Sequence, residues 1–485
     1  MTKTAAIIGG GVIGGAWAAR FLLNGWDVRV FDPDPEAERK IGEVLDNARP
    51  ALRSLTDLPM PGEGALSFHG SIAEAVQGAA YIQESVPERE DIKHATFREI
   101  TAACAADAVI GSSTSSFTPT TLTREVETKG RIMVCHPFNP VYLLPLVEVV
   151  GCEATEEEAI GTCMAILTEI GMKPLRIHRE ILGHIADRLL ESVWREGLWL
   201  VNDGICDTET LDDAIRYGFG LRWAQMGLFE TYRIAGGEAG MLHFIGQFGP
   251  TMRWPLCHMT DVPELDDALV KRVADQSDAQ SGHHSIRELE RIRDANLVGM
   301  MRALKANNWG AGAVLKARDD ARKAAAGAPE TDGLIRTVDR YVPLDWVDYN
   351  GHMNEARYLQ AFGDATDRMM EIVGCDADYI ATGGSFFTAE THIRHVDEVG
   401  VGAPIVVETQ VLQGAGKKMH LFHFMRHRDD GRLLATGEHM LLHVSLETRK
   451  TAPPPDWMAE KLGAIAAAHA ALDRPEGAGA AVGVR

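Results

Sequence analysis

The chain has 485 residues, a length of roughly three domains at about 150 residues each. Hydrophobic residues make up 45% and charged residues 24%, a globular composition that excludes a fibrous or wholly disordered protein. The formal net charge of −21, from 48 basic against 69 acidic side chains, disfavours nucleic acid and anionic membranes as partners because such a surface repels them. The same charge can serve solubility alone, or it can attract a cationic small molecule, and composition does not decide between these roles.

Cysteine usage and hydropathy indicate the compartment. Seven cysteines are scattered without a Cys-x-x-Cys pair, which argues against a disulfide framework and against a structural zinc site, so no metal is predicted. The chain runs at once into the apolar segment Thr4–Ile8 without the regions of an export signal. No run approaches the ~18 consecutive apolar residues of a membrane span. These features predict a protein of the reducing cytoplasm with no membrane partner.

The first two predicted domains differ in their hydrophobic period. Residues 1–183 are expected to form an α/β domain, because short apolar runs alternate with helical stretches as in parallel βαβ units. Residues 184–322 are almost purely helical in pattern, with 3.6-residue periodicity around Ile185–Val201 and Ile286–Leu304. We predict an all-α domain there, for substrate binding and dimerisation. The strands predicted in the first domain are Thr4–Ile8, Val28–Phe31, Tyr81–Ser85, Ala108–Gly111 and Arg131–Cys135.

A linker and a third domain follow. Residues 323–333 are small and polar and contain Pro329, which is typical of a linker. Residues 334–457 change to the period of strands, with one helix at Glu355–Val373, and this predicts an α+β domain. In the low-complexity tail, residues 458–485, a frayed helix from Ala464 and then disorder are expected. The predicted strands are Ile335–Val342, Thr391–His395, Ile405–Gln413, His420–His427 and Leu434–Ser445.

A glycine-rich turn after the first strand predicts a nucleotide site. Gly9 permits a tight turn, Gly11 lets the backbone approach a pyrophosphate, and Gly14 lets helix and strand pack closely, with the helix N-terminus facing the phosphates. Asp32 ends the second strand, where its carboxylate can accept both ribose hydroxyls and repel a 2′-phosphate. This is the pattern of a Rossmann domain that binds NAD rather than NADP, unless a different loop path recruits Arg39.

His136 is the candidate acid/base for an alcohol oxidation with NAD, which needs a group that takes the hydroxyl proton at neutral pH. It follows the predicted strand Arg131–Cys135, at the sheet edge where ligands bind in open α/β folds. Glu148 lies inside an apolar run, where an unpaired carboxylate is costly. A His136–Glu148 pair explains both residues, with the carboxylate orienting the imidazole. The alternative is a structural histidine and a strand-edge glutamate.

Four segments resemble the L-3-hydroxyacyl-CoA dehydrogenase family in order and spacing, over about residues 1–320. The resemblance implies Ser115 as a hydrogen-bond donor to the substrate oxygen, His136 as the acid/base and Glu148 as its partner. It also implies that Glu88 and Lys93 lie near the nicotinamide end of the cofactor. The four segments are Gly9–Gly14, Gly111–Ser116, His136–Pro140 and Leu146–Glu148.

Two departures from that family's pattern bear on the substrate. The family usually has an asparagine that touches the substrate at the start of the helical domain, where this chain has Asp187. A later Pro- and Gly-rich turn of the family is replaced by a segment that contains Trp223. We therefore predict Asp187 and Trp223 as substrate residues in place of an ordinary acyl-CoA site. Aromatic faces attract quaternary ammonium groups, although aromatics at helical spacing also form plain cores.

A second candidate site lies in the third domain, where Asp348-Tyr-Asn-Gly-His-Met-Asn354 precedes the predicted helix. Asn-Gly marks a turn and Asn354 can cap the helix, so a turn with a cap is one interpretation. The pattern also resembles the hotdog-fold acyl-CoA thioesterases of the 4-hydroxybenzoyl-CoA type, over about residues 334–450. That resemblance implies Asp348 as nucleophile or general base towards a thioester. It also implies a site at a subunit interface, and hence a homodimer.

The two resemblances together bear on the substrates. A dehydrogenase of the first family fused to such a thioesterase, without an enoyl-CoA hydratase, resembles the bifunctional enzymes of carnitine breakdown. This implies NAD-dependent oxidation of L-carnitine to 3-dehydrocarnitine, and hydrolysis of betainyl-CoA to glycine betaine and CoA. The alternatives are a short-chain L-3-hydroxyacyl-CoA dehydrogenase with a fused acyl-CoA thioesterase, an L-gulonate-type 3-dehydrogenase, and a non-catalytic NAD-binding protein.

Overall fold

The computed structural model describes residues 3–56, 58, 60–235, 244–246, 257, 263–327 and 329–480. The chain forms two compact units, the N-terminal unit of Met1–Leu52 with Pro61–Arg318 and the C-terminal unit of Arg53–Met60 with Asp319–Arg485. Within the described ranges, no helix combines the length and the apolar character needed to cross a membrane.

The N-terminal unit begins as a mostly parallel sheet with helices between its strands. The strands are β1 (Thr4–Ile8), β2 (Asp27–Phe31), β3 (Leu66–Phe68), β4 (Tyr81–Glu84), β5 (Val109–Ser112), β6 (Ile132–Pro137), β7 (Leu146–Val150) and β8 (Lys173–Ile177). The helices are α1 (Val12–Leu22), α2 (Ala37–Ser54), α3 (Ile72–Val76), α4 (Glu90–Ala103), α5 (Pro119–Leu122) and α6 (Glu157–Glu169). Among the described residues the strand order is β3-β2-β1-β4-β5-β6-β7-β8, and every neighbouring pair is parallel except β6 with β7.

The sheet is apolar along its strands and polar where its parallel strands end. Ile8, Phe97 and Leu122 are fully buried in the same core, between the sheet and the helices that follow β4 and β5. Because parallel strands share a direction, the carboxyl ends of β1, β2, β4, β5 and β6 meet at one edge of the sheet. This edge and the residues directly after it include Gly9, Asp32, Glu84, Ser112 and His136.

Beyond β8 the unit is helical, which confirms the predicted all-α domain. Its described helices are α7 (Ala186–Asn202), α8 (Thr208–Ala214), a π-helical turn (Ile215–Phe219), α9 (Gly220–Ala235), α10 (Asp267–Ser281), α11 (Ile286–Ala306) and α12 (Gly310–Ala326). Helix α11 begins with a capping box between Ser285 and Glu288. Large apolar side chains of α7 and α9 are exposed on the single chain, namely Leu189, Leu190, Trp194, Leu221, Phe229 and Ile234. Continuous exposed apolar patches often mark interaction sites.

The C-terminal unit is an α+β domain, as predicted, in which a long helix packs on an antiparallel sheet. The strands are β9 (Ile335–Tyr341), β10 (Gly384–His395), β11 (Pro404–Ala415), β12 (Lys418–His427) and β13 (Leu433–Ser445). Their order among the described residues is β10-β13-β12-β11-β9, with antiparallel neighbours throughout. Helix α13 (Glu355–Val373) buries Tyr358, Phe362 and Met369, and the short helix α14 (Ala377–Ala381) follows it.

The last helix, α15 (Asp456–His469), differs from the expected fraying of the tail. Leu462 and Ile465 are buried in the core of the unit, and His469 Nδ1 accepts a hydrogen bond of 2.8 Å from the Val411 N–H of β11. These side chains recur at helical spacing and so lie on one face. The alanine-rich composition hides this apolar face, because the residues between the large side chains are small rather than polar.

Two histidines of this sheet, His423 and His439, are buried side by side with ring centroids 4.9 Å apart. His423 lies 3.2 Å from the Thr366 hydroxyl through Nε2 and 2.8 Å from the Thr409 hydroxyl through Nδ1. Burial lowers the pKa of His439 to about 4. Burial, together with the neighbouring His439, also holds the pKa of His423 well below its ordinary value. Both rings are therefore neutral in the folded unit at neutral pH.

We predict that acid destabilises the C-terminal unit through these rings. Below pH 6.5 the unfolded chain binds a proton that folded His439 does not bind until about pH 4, so stability is full above pH 6.5 and falls between these values. One such group changes the free energy of unfolding by up to about 1.4 kcal/mol per pH unit. Urea unfolding across this range should show a smaller loss in His439→Phe than in the unsubstituted chain or in the control His392→Gln. An equal loss in all three proteins would contradict this assignment.

Candidate active sites

The glycine turn after β1 has the geometry that a dinucleotide needs. Gly9 adopts a left-handed φ of +98°, and a Cβ there would lie 2.6 Å from the Ser85 carbonyl oxygen. A Cβ on Gly14 would lie 1.8 Å from the Gly9 carbonyl oxygen, so only glycine lets α1 pack this closely. A Cβ on Gly11, which precedes α1, would meet no described atom within 4 Å. The N–H groups at the start of α1 therefore face space that a pyrophosphate can fill.

Asp32 follows β2, and its carboxylate lies beside the glycine turn. Its Oδ2 accepts the Gly10 N–H at 2.5 Å. Arg39, the alternative partner for a 2′-phosphate, is paired with Glu36 at 2.7 Å and with Glu43 at 2.5 Å. This arrangement favours a ribose with free hydroxyls over a phosphorylated ribose.

Glu88 and Lys93 belong to a buried charged group where β4 and β5 end. The Lys93 side chain is 1% exposed, and its ammonium lies 2.8 Å from Glu84 Oε1 and 3.2 Å from Glu88 Oε2. The Ser112 hydroxyl donates to Glu84, and the Thr114 hydroxyl donates to Glu88. Although partial burial raises the pKa of Glu88, the bond from Thr114 and the charge of Lys93 leave that pKa below its ordinary value. Glu84 was not predicted from the sequence. The signal that could have identified it is a carboxylate inside an otherwise buried strand.

His136 and Glu148 form a buried pair across the antiparallel strands β6 and β7. They are direct register partners, so their side chains lie on the same face of the sheet. His136 Nδ1 lies 3.0 Å from Glu148 Oε2, while Glu148 Oε1 accepts the N–H groups of Ile185 and Ala186 at 2.9 and 3.0 Å. Burial raises the pKa of Glu148, but these hydrogen bonds outweigh it and leave the pKa below its ordinary value. The glutamate is therefore charged, and it orients the imidazole through Nδ1.

The other nitrogen of His136, Nε2, faces the first turn of α7. Asp187 Oδ2 lies 3.6 Å from it. The ring of His184 is fully buried 5.3 Å from the His136 ring, and its Nε2 lies 3.2 Å from the Thr114 carbonyl oxygen. A cavity of about 790 Å³ includes Ser115 and Asp187 in its lining. The structure thus brings the predicted residues His136, Glu148 and Asp187 into contact and places Ser115 on the same cavity as Asp187.

Trp223 has different surroundings. Its ring is 37% exposed, and its centroid lies 4.6 Å from that of Phe219. It is not one of the residues that line this cavity in the described part of the chain. A contact between Trp223 and a substrate therefore stays a prediction.

Asp348, the candidate of the third domain, lies in a tight turn before α13. Its Oδ1 accepts the Asn350 N–H at 2.8 Å. Gly351 continues the turn with a left-handed φ of +81°, a conformation that glycine adopts readily. The Asn354 side chain accepts the Ala356 N–H at 3.0 Å, so Asn354 caps α13 as its place in the sequence predicts.

A second cavity, of about 480 Å³, includes Asp348 in its lining. Tyr358 of α13 also lines it, and its hydroxyl donates to the Asp397 carbonyl oxygen at 3.3 Å. The Tyr358 ring packs edge-on against His395 at 4.8 Å. Three further carboxylates line the cavity, those of Glu355, Asp397 and Glu398, of which Asp397 is paired with Arg432 at 2.5 Å and Glu398 lies 3.4 Å from His352 Nδ1.

We predict that Gly14→Ala weakens NAD binding by at least about tenfold, or ~1.4 kcal/mol. The new methyl group would lie 1.8 Å from the Gly9 carbonyl oxygen, so the turn and α1 must move apart. Gly42→Ala is the matched control, because a Cβ on Gly42 of α2 meets no described atom within 4 Å. Calorimetric titration with NAD measures both proteins, and equal affinities would show that the turn does not hold the cofactor.

Family models match both units. Residues 4–181 match the NAD-binding domain of 3-hydroxyacyl-CoA dehydrogenase, and residues 183–273 match the C-terminal domain of that family. Residues 342–462 match the thioesterase-like superfamily. These matches confirm the predicted fold class and confirm NAD as the cofactor.

Proteins similar over the whole chain have the same two parts. A Ruegeria pomeroyi protein named L-carnitine dehydrogenase/betainyl-CoA thioesterase is 63% identical over 99% of each chain. A Rhizobium meliloti protein of the same name is 53% identical over 99% of this chain and 98% of its own. One solved structure matches the N-terminal part: that of 5-formyl-3-hydroxy-2-methylpyridine 4-carboxylic acid 5-dehydrogenase, an NAD⁺-dependent dismutase. It is 28% identical, with a TM-score of 0.56, over 63% of this chain and 99% of its own. The chain therefore belongs to the family of the fused L-carnitine dehydrogenase/betainyl-CoA thioesterases, in which a 3-hydroxyacyl-CoA dehydrogenase module precedes a thioesterase-like domain.

Proposed function

We propose that the N-terminal unit oxidises L-carnitine to 3-dehydrocarnitine with NAD, and that the C-terminal unit hydrolyses betainyl-CoA to glycine betaine and CoA. The observation that supports the oxidation best is the His136–Glu148 pair, with Nε2 of the imidazole beside Asp187 of the cavity lining. Relatives that share the full length of the chain have these activities in their names.

His136 is the proposed acid/base. The ring nitrogen that lies 3.0 Å from a carboxylate, Nδ1, holds the proton of the neutral ring, so Nε2 accepts the proton of the substrate hydroxyl. Glu148 then stabilises the imidazolium, because its charge lies against the Nδ1–H. The N–H groups of Ile185 and Ala186 keep the carboxylate in this orientation. Bound NAD supplies the acceptor for the hydride from C3.

The remaining residues of the first site position the reactants. Ser115 is the proposed donor to the substrate oxygen as this oxygen becomes a carbonyl. Glu88 and Lys93 are proposed at the nicotinamide end, where their ion pair keeps both charges compensated. The residues proposed to hold the adenosine and pyrophosphate part are Gly9, Gly11, Gly14 and Asp32.

Asp348 is the proposed nucleophile or general base of thioester hydrolysis. It either attacks the carbonyl carbon, with water later releasing the acyl group, or it takes a proton from the attacking water. In both cases the C–S bond breaks and the sulfur of CoA leaves as the thiol. N–H groups of the first turn of α13 would stabilise the oxyanion. The carboxylate of Glu355 in the cavity lining suits the trimethylammonium group of a betainyl thioester, whereas Asp397 is already paired with Arg432.

We also propose that the protein is a homodimer of the cytoplasm. The exposed apolar side chains of α7 and α9 offer a surface that a second copy of the chain can bury. The seven cysteines, all within the described residues, are free thiols, as is usual in a reducing compartment.

We predict that His136→Ala lowers kcat for L-carnitine oxidation by about 10²–10⁴, because the hydroxyl proton loses its acceptor. NAD affinity should stay unchanged, since the glycine turn is intact. His178→Ala, an exposed histidine just after β8, is the control and should keep full activity. NADH absorbance measures turnover, and calorimetry measures NAD binding. Near-normal turnover in His136→Ala would eliminate the acid/base role.

For the second site, Asp348→Asn should slow betainyl-CoA hydrolysis by about a hundredfold or more, because an amide neither attacks the thioester nor takes a proton from water. Oxidation of L-carnitine by the same protein should be unchanged. The control Asp345→Asn makes the same substitution at an exposed position three residues earlier. Release of the CoA thiol measures hydrolysis. If Asp348→Asn hydrolyses betainyl-CoA as fast as the control, Asp348 is not the catalytic carboxylate.

A further inference from the structure

Asp187 lies in the first turn of α7, where it lines the cavity and lies beside Nε2 of His136. Its Oδ2 is 3.6 Å from His136 Nε2, and its side chain is 19% exposed. The other imidazole nitrogen is already 3.0 Å from the Glu148 carboxylate. His136 therefore has a carboxylate on each side, although Glu148 alone is sufficient to orient the ring and to stabilise the imidazolium.

The second carboxylate is energetically costly at this position. Burial raises the pKa of Asp187, and the charge of Glu148 acts in the same direction, against the opposing effect of His136. A substrate without a positive group beside Nε2 would leave this charge uncompensated. A positive group of the substrate would stabilise the ionised carboxylate instead.

L-carnitine has such a positive group next to its reacting carbon. The hydroxyl is bonded to C3 and the trimethylammonium nitrogen to C4, so the positive charge lies two bonds from the oxidised carbon. Proton transfer to Nε2 creates an imidazolium close to this cation, and the same cation disfavours hydride loss from C3. A carboxylate beside Nε2 offsets both effects. For the carboxylate of the substrate, the cavity lining offers Arg188 and also Arg195, which lies 3.9 Å from Glu191 of the same lining.

We propose that Asp187 makes the dehydrogenase select substrates with a cationic nitrogen two bonds from the oxidised carbon. Its carboxylate lies against the trimethylammonium group and compensates that charge while His136 becomes protonated. This inference rests on the proposed oxidation of L-carnitine and identifies the residue by which the enzyme distinguishes L-carnitine from a 3-hydroxy acid without a cationic group.

The test compares L-carnitine with its isostere 3-hydroxy-5,5-dimethylhexanoate of the same configuration, in which carbon replaces the quaternary nitrogen. NADH formation by the full-length chain gives kcat/KM for each, and the ratio of the two measures selection for the cation. Asp187→Asn removes the charge and keeps the shape. Asp203→Asn makes the same change at an exposed residue beyond the other end of α7, about 24 Å along the helix axis. Calorimetry with γ-butyrobetaine, which lacks the hydroxyl, measures binding without oxidation.

We expect the unsubstituted chain and Asp203→Asn to prefer L-carnitine strongly. In Asp187→Asn both the ratio and the affinity for γ-butyrobetaine should fall by about tenfold or more, with kcat/KM for the isostere little changed. An unchanged ratio would overturn the inference. Equal losses on both substrates with a shifted pH profile would also overturn it, because Asp187 would then act only through His136. If the unsubstituted chain does not oxidise L-carnitine, the proposed function is wrong. The difference in γ-butyrobetaine affinity between the unsubstituted chain and Asp187→Asn then tests the role of Asp187 on its own.

Discussion

The buried carboxylate of Glu148 is the interaction on which the dehydrogenase site depends. One of its oxygens binds His136 Nδ1, and the other accepts the backbone N–H groups of Ile185 and Ala186. A charge removed from water is tolerated here because these donors replace its hydration. The same carboxylate joins the edge of the sheet to the start of α7. Because Asp187 is the next residue of that helix, this connection also determines which group meets Nε2.

Local charge explains more of the chemistry than the net charge of −21. Exposed charges are screened beyond a Debye length of about 8–10 Å, so a distant acidic surface adds little to the binding of a cation. The carboxylates that matter line the cavities themselves, Asp187 and Glu191 in the first and Glu355, Asp397 and Glu398 in the second, where Arg432 compensates Asp397. At the cofactor end the charges are instead compensated within the protein, since Lys93 is buried among acidic side chains.

Features determined by neighbouring residues could be predicted from the sequence. Gly14 and Asn354 act within a turn and a helix start, and the His136–Glu148 pair joins adjacent strands in which a buried carboxylate needs a partner. The contact of Asp187 with Nε2 was not predictable, because it depends on how α7 packs against the end of the sheet. A frayed helix was predicted in the tail, but its packing in the core was not, since its alanine-rich composition conceals an apolar face.

A cationic substrate at Nε2 of His136, in place of an acyl-CoA, is the central claim. Steady-state NAD reduction by the full-length chain with L-carnitine, L-gulonate and L-3-hydroxybutyryl-CoA tests it most directly. We expect kcat/KM for L-carnitine to exceed the other two by about a hundredfold or more, since neither of those compounds has a cationic group that would compensate Asp187. A higher kcat/KM for L-3-hydroxybutyryl-CoA would contradict the claim and would indicate a 3-hydroxyacyl-CoA dehydrogenase instead.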